Sequence, residues 1–389
     1  MHRYVKDGDV WEIAFAGKQL KIVENGAPTV RTFRSVEHAA VQLAKAVADK
    51  LAAGFESVAL DPREPALEAA ILADPDNLTA YEVYGDWLQA HGDPRGALIA
   101  LQLAARRGDT KLEAAAKKLL DAHADYLLGE LAAAPADAFT WSRGFIEKIY
   151  VSAGGWLGRA LAHPSCRFAA EISVVGDAHA ADAIAMLAEH APPTLRALRL
   201  RNVWQHDLAA LWPAMPRLRR LTLVGERLAL GDIAALPHLE RLEYADRAMP
   251  YASMHAIATA PWRELRELRI DFGSNEVTGE ASIDDVFALL GRRDLPSLAR
   301  LGLIHTRYAR ELVIELVASP LAAQLEALDL SHNQLTDVHA IELARHKDRF
   351  AKLQQLDVSG NRLSDAGLAA LAALAPKLRA LRQDGRAVI

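Results

Sequence analysis

The chain contains only one cysteine, Cys166, which excludes an internal disulfide and leaves nothing that ties the protein to an oxidising compartment. No apolar run reaches the roughly 18 residues that mark a membrane-crossing helix. The opening MHRYVKDGDV has no basic n-region followed by an apolar h-region, so no leader is expected. These absences predict a cytoplasmic protein without membrane association. A basic excess is missing too. With 45 Lys and Arg against 50 Asp and Glu, the formal net charge is -5, which disfavours a general nucleic-acid binder. The chain also lacks G-x-G-x-x-G, P-loop, G-x-S-x-G and H-E-x-x-H strings, so nucleotide, serine-hydrolase and zincin chemistry have no signature. No catalytic residue, cofactor or metal is assigned.

What is present is ample core-forming material. The 389 residues are 51% hydrophobic and 24% charged, enough for two or three domains. A leucine pattern then recurs ten times from Ile146 onward, clearest in LEALDLSHNQL from Leu325 and LQQLDVSGNRL from Leu353. The fourth positions of its copies are Ile149, Ile172, Leu198, Leu221, Leu242, Leu268, Leu301, Leu328, Leu356 and Leu381, at steps of 21 to 33 residues. Within LxxLxL the period is two, so the fourth and sixth residues face one side of a short strand and the third and fifth the other. One such strand cannot bury its own apolar face; stacked copies can, as a parallel sheet with a shared core. Each copy needs a return segment. The strings ADAIAMLAEHA, ASMHAIATA, SIDDVFALL, ARELVIELVA, TDVHAIELARH and SDAGLAALAALA read as helices, with Thr336 and Ser364 placed as N-caps.

This resembles the leucine-rich repeat family, and LDLSHN and LDVSGN are similar to its ribonuclease-inhibitor-like type. The resemblance implies an α/β solenoid, parallel strands on a concave face and helical or irregular returns on the convex one. It also implies that the ninth-position Asn333 and Asn361 tie adjacent turns by hydrogen bonds. Gly154, Asp177, Val203, Glu226, Arg247, Gly273 and Thr306 hold that position elsewhere, so a regular Asn ladder is not expected in the earlier copies.

Ahead of the repeats, WEIAFAGKQLKIVENGAPTVRTF alternates apolar and polar residues around Gly17 and Asn25-Gly26, as a small antiparallel sheet does. SVEHAAVQLAKAVADKLAAGF follows as a helix, with Ser35 as N-cap and Ala39, Leu43, Ala46, Val47 and Leu51 at helical spacing. This part, residues 1–60, resembles a WGR domain, although the naming Trp-Gly-Arg triplet is absent. In the polymerases that share the domain the triplet region contacts DNA, so its loss weighs against nucleic-acid binding here. Residues 61–140 read as helical. AILADPDNLTAYEVYGDWLQAHGDPRGALIALQ, with WSRGFIEKI from Trp141, is similar to the repeat-companion domain of bacterial leucine-rich repeat proteins. The domains expected are therefore 1–60, 61–140 and a solenoid of about ten strands over 141–389. Asp86, Trp87, Asp93 and Arg95 invite a catalytic reading, but Trp87 as core, Asp93 as N-cap and Pro94 in the first turn account for them.

The fourteen histidines suggest a metal only at His332, His339 and His346, which lack a Cys or carboxylate to complete a ligand set. Cys166 reads as a buried, inert thiol. Function is then expected on the concave face, where the third, fifth and seventh positions place Lys148, Tyr150, Arg199, Arg201, Arg220, Arg241, Glu243, Glu267, Arg269, Asp271, Arg300, Asp329 and Asp357. Arg199, Arg201, Arg220 and Arg241 gather positive charge opposed only by Glu243, and Asp329 and Asp357 give the late end an acidic lean. The polar DFGSNEVTGEASIDD insertion and Gln383 in the final copy are read as a variable loop and a terminal cap. The reading is a bacterial, monomeric, non-enzymatic scaffold that binds an unidentified protein partner. The alternative is a nucleic-acid-associated regulator using the WGR-like domain or the arginine patch.

Overall fold

Alternation of apolar and polar residues at the N-terminus produces five strands: β1 (His2–Lys6), β2 (Asp9–Ala16), β3 (Gln19–Glu24), β4 (Ala27–Thr32) and β5 (Glu56–Val58). They form an antiparallel sheet in the order β4-β3-β2-β1-β5. Asn25 and Gly26 both adopt positive φ, at 47° and 83°, the geometry that closes a two-residue hairpin. The computed structural model describes residues 2–16, 18–58, 61–106, 110–152, 156–176, 180–273, 280 and 282–380. Gly17, Gly154, Asp177, Leu381, Gln383 and most of the insertion after Gly273 lie outside them. The chain divides into two units, Met1–Ile149 with Arg159–Ala169, and Tyr150–Gly158 with Ala170–Ile389.

In the first unit, helix α1 (Val36–Ala52) begins where Ser35 Oγ accepts the His38 N–H. Its Leu43, Ala46 and Val47 pack on Tyr4, Trp11, Ile13 and Leu20 of the sheet, whereas Leu51 is exposed. Helices α2 (Pro65–Ala73), α3 (Leu78–Ala90), α4 (Pro94–Ala105), α5 (Thr110–Ala122) and α6 (Ala124–Leu128) follow. Strands β6 (Phe139–Ser142) and β7 (Phe145–Val151) then make a hairpin through Arg143 and Gly144, and the short helix α7 (Leu157–Ala162) follows. Ile71, Tyr81, Tyr84, Leu88, Ile99 and Leu103 form a core with Phe145 and Phe168.

A buried ionic network runs beside that core. Asp93 N-caps α4 by accepting the Arg95 N–H at 2.8 Å, pairs with the Arg95 guanidinium at 2.7 Å, and accepts the Tyr126 hydroxyl at 2.9 Å. Arg95 also donates to Ser165 Oγ at 3.1 Å, and Ser165 donates to the Leu127 carbonyl at 2.6 Å. Arg95 and Asp93 are 1% and 2% exposed, so each charge depends on the other for solvation. Beside them Arg167 engages Asp61, Glu68 and the Tyr84 hydroxyl. Trp87 is half-buried, packing on the core and stacking on His91, and Asp86 is exposed.

The second unit contains a short helix end and nine described parallel strands: β8 (Glu171–Val175), β9 (Ala197–Trp204), β10 (Arg220–Glu226), β11 (Arg241–Asp246), β12 (Glu267–Asp271), β13 (Arg300–Ile304), β14 (Ala327–Asp329), β15 (Gln355–Asp357) and β16 (Lys377–Arg379). They stack in chain order. Ile172, Leu198, Leu221, Leu242, Leu268, Leu301, Leu328 and Leu356 stand opposite one another in register. The final copy differs from expectation. Leu378, not Leu381, pairs with Leu356, because β16 begins at Lys377 opposite Gln355. The returns are α8 (Ala180–His190), α9 (Tyr251–Thr259), α10 (Ile283–Leu290), α11 (Ala309–Ala318), α12 (Asp337–Arg345) and α13 (Asp365–Leu371). The returns after β9 and β10 are short 3-10 turns, Ala209–Ala214 and Ile233–Ala235. Helix α13 stops at Leu371, short of the predicted span. Ser364 Oγ accepts the Ala366 N–H at 3.1 Å, and His339 Nδ1 accepts the Thr336 N–H at 3.0 Å, so both predicted caps form.

Asp93→Ala removes the α4 cap and leaves the buried Arg95 guanidinium facing Asp61 at 3.9 Å in place of its 2.7 Å partner, so chemical denaturation is expected to show a loss of about 3 kcal/mol. Burial, reinforced by the Arg95 charge, draws the His163 imidazole down to about 4. Between that value and about 6.5 the unfolded chain binds a proton that the folded chain refuses. Stability from this group is therefore complete above about pH 6.5 and declines as the pH falls towards 4. His163→Gln is expected to flatten that part of the stability–pH curve.

The open face of the parallel sheet as candidate functional site

The strand alternation that buries the leucines turns the third and fifth positions outward, and in the second unit these positions carry charge. Register then decides which charges meet. Arg241 stands opposite Glu267, which in turn stands opposite Arg300; the Arg241–Glu267 separation is 3.0 Å and the Arg300–Glu267 separation 3.9 Å. Arg269 reaches Glu243 at 3.6 Å and, across β13, Asp329 at 3.5 Å. Gly302 makes that crossing possible, since a Cβ there would lie 3.0 Å from Arg269 Cγ. Arg220 similarly spans Ala197 of β9 to meet Glu171 on β8 at 2.6 Å. Arg379 meets Asp357 at 3.5 Å. Exposed pairs of this kind each contribute about 0–1 kcal/mol, so their effect is to position side chains and cancel charge.

The early arginine patch is consequently smaller than the sequence suggested. Arg220 and Arg241 are each met by a carboxylate, Glu171 and Glu267, which lie on strands whose register is needed to see them. Arg199 and Arg201 are exposed and have no ion pair among the described residues. Asp329 and Asp357 are half-buried and engaged by Arg269 and Arg379, which blunts the acidic lean of the late strands. Asp271 pairs with His305 at 2.8 Å. Burial pushes its carboxyl up, but the His305 hydrogen bond, the Gly273 N–H and the nearby charges outweigh that and hold it below the usual range. Tyr150 is 38% exposed in the second unit, while Lys148 belongs to the first.

Between Glu267 and Arg379 the small side chains of Gly302 and Ala327 leave a groove of about 470 Å³ across β12 to β16. Leu301, Leu328 and Leu356 form its floor, and Arg269, Asp329, Gln355 and Asp357 stand in its walls.

Below this face, hydrogen bonds lock the turns. Asn333 Oδ1 accepts the Thr306 N–H at 2.7 Å, and its amide donates to the Leu303 carbonyl at 2.6 Å. Asn361 Oδ1 accepts N–H groups from Asn333 and Leu335, both at 2.9 Å, and its amide donates to the Leu330 and Val358 carbonyls. Both asparagines are fully buried. Sequence reading missed Asp246, one position before the expected Asn. Its carboxylate accepts the Arg227, Leu228 and Ala248 N–H groups and the Tyr244 hydroxyl, at 2.8–2.9 Å. The three spaced histidines do separate work: His332 stacks on His305, His339 caps α12, and His346 contacts Glu342. Burial pushes the Cys166 thiol up to about 12, as expected of an inert side chain.

A family profile described as "Leucine Rich repeat" matches residues 324–344 and 351–372. No curated protein matches the chain. Among solved structures, a Bacteroides fragilis protein is similar over 97% of this chain and 95% of its own, with 17% identity and a TM-score of 0.52, a likeness of fold alone. TLR13, solved with ssRNA13, aligns with 55% of this chain and 36% of its own at 17% identity and a TM-score of 0.35. Leucine-rich repeats are thus present at residues 324–344 and 351–372, and the parallel sheet of the second unit is consistent with a solenoid of such repeats. No described helix is long and apolar enough to cross a membrane.

Because Asn361 satisfies two N–H and two carbonyl groups at once, Asn361→Ala is expected to lower the stability of the second unit by about 3 kcal/mol. The check is a lowered urea midpoint.

Proposed function

We propose that the protein is a non-enzymatic scaffold or regulator that binds a partner protein through the open, concave face of its leucine-rich repeats. The observation that carries this reading is the ladder of ion pairs on β8 to β16, which presents polar side chains in fixed positions around a leucine-floored groove. Such a surface offers shape and complementary charge over many strands. Phosphate neutralisation needs several free cations; the matching of Arg220, Arg241 and Arg269 by carboxylates leaves Arg199 and Arg201 for that role on these strands, which favours protein over nucleic acid. We further propose that residues 1–60 are a degenerate WGR-like domain, 61–140 a repeat-companion domain and 141–389 the repeats, within a bacterial cytoplasmic monomer whose N-terminal domains serve as a second interaction module.

Ala327→Trp combined with Gln355→Trp fills the groove from two partly exposed positions without touching the leucine core. In nuclease-treated lysate the wild type is expected to capture a protein that this variant loses, with the variant's circular dichroism unchanged. Equal capture by both would remove the groove from consideration.

A further inference from the structure

We propose that Arg199 and Arg201 are the acid-reading pair of this face, and that the partner docks across β9 through an extended acidic segment. The inference rests on the protein-binding reading above and adds where the contact is made and with what chemistry.

Arg220, Arg241, Arg269, Arg300 and Arg379 each have a carboxylate of the same face within 4 Å. Arg199 and Arg201 have none among the described residues, although both are exposed. The register explains the difference. Arg199 is flanked by Ser173 on β8 and Thr222 on β10, and Arg201 by Val175 and Val224, so neither adjacent strand presents an acid at their level. The next carboxylate at the Arg199 level, Glu243 on β11, is held by Arg269 at 3.6 Å.

Two residues apart on one strand, the two arginines leave the backbone on the same face from Cα positions about 6.6 Å apart. That is also the repeat between same-side side chains of an extended peptide, so carboxylates at alternate residues fall opposite both arginines. Ser173 and Thr222 on either side are neutral and do not repel a carboxylate, and the Thr222 hydroxyl is turned to Glu243, to which it donates at 3.4 Å. A guanidinium and a carboxylate match as paired donors and acceptors, which makes arginine the suited reader of such a segment.

A second feature falls at the same place. Among the described pairings from β8 to β16, the register shift occurs just after Arg201, where Val224 pairs with Arg201 but Gly225 pairs with Val203. Asn202 is the extra residue, at φ 57°. Gly225 is required opposite it, because a Cβ there would lie 2.0 Å from the Val203 carbonyl oxygen. A bulge increases local twist and turns the strand end away from its neighbours, setting the Arg201 side of β9 apart from the ion-paired ladder.

The test uses the full chain and fluorescence anisotropy with a labelled peptide of alternating Glu and Ser, and a matched Gln and Ser peptide as control. With a formal net charge of -5 the chain as a whole repels the acidic probe, so saturable binding must come from local cations. Arg199→Gln with Arg201→Gln is expected to weaken the acidic peptide by about tenfold or more, and the Gln peptide is expected not to bind. Arg220→Gln with Arg241→Gln, and the Ala327→Trp, Gln355→Trp variant, are expected to change affinity by less than about twofold, since those arginines are neutralised and the groove lies strands away. The proposal is overturned by absence of binding to the acidic peptide, or by an equal loss in the Arg220 and Arg241 variant. Tighter binding of an oligothymidylate of equal length through Arg199 and Arg201, with a steep salt dependence, also overturns it in favour of nucleic acid. Because the peptide assay is independent of the lysate capture, loss of this assignment leaves the groove reading standing, and the reverse also holds.

Discussion

A parallel strand of three to eight residues in the second unit has no means of burying its own leucines, and that constraint organises everything built on it. The fourth-position side chains stand opposite one another from copy to copy, so register is fixed by packing and cannot slip by one without turning every leucine to solvent. The backbone at the turns then has to be satisfied from within. Asn333 and Asn361 do this with an amide that both donates and accepts. Asp246 does it with a carboxylate that only accepts, and so serves three N–H groups and a tyrosine hydroxyl instead. The outward charges inherit the register that the core imposes.

Legibility in the sequence followed the same hierarchy. The leucine positions, the two asparagines and the caps at Ser35, Thr336 and Ser364 were readable because each is a local rule applied to a few adjacent residues. The last copy was misread because Leu378 and Leu381 both satisfy the template, and only pairing with Leu356 separates them. Asp246 was missed for a comparable reason: the template looks for an amide one position later. Pairing among the surface charges was invisible without strand register. Arg220 and Glu171 lie 49 residues apart in the chain and two strands apart in the sheet, and Ala197 between them is as necessary to their contact as the charges are.

The first unit handles charge in the opposite way. Asp93 and Arg95, which resemble a catalytic pair when met as DPR in a sequence, are sealed from solvent and saturated by Tyr126 and Ser165. Ser165 lies 70 residues from Arg95, so the contact that defines the arginine's role has no local signature. Burial and complete hydrogen bonding distinguish a structural ion pair from a reactive one here, and Cys166, raised by the same dry surroundings, follows that logic.

The crossing of Arg269 over Gly302 to Asp329 has a consequence for how this protein responds to its surroundings. That bridge and its counterparts are solvent-facing ion pairs, which dissolved salt screens within a Debye length of about 8 Å at physiological ionic strength. The buried asparagine contacts beneath them have no such dependence. Ionic strength therefore acts on the upholstery and leaves the frame alone: the pattern of charge offered to a partner loosens or tightens with the medium while the coil that displays it keeps its shape.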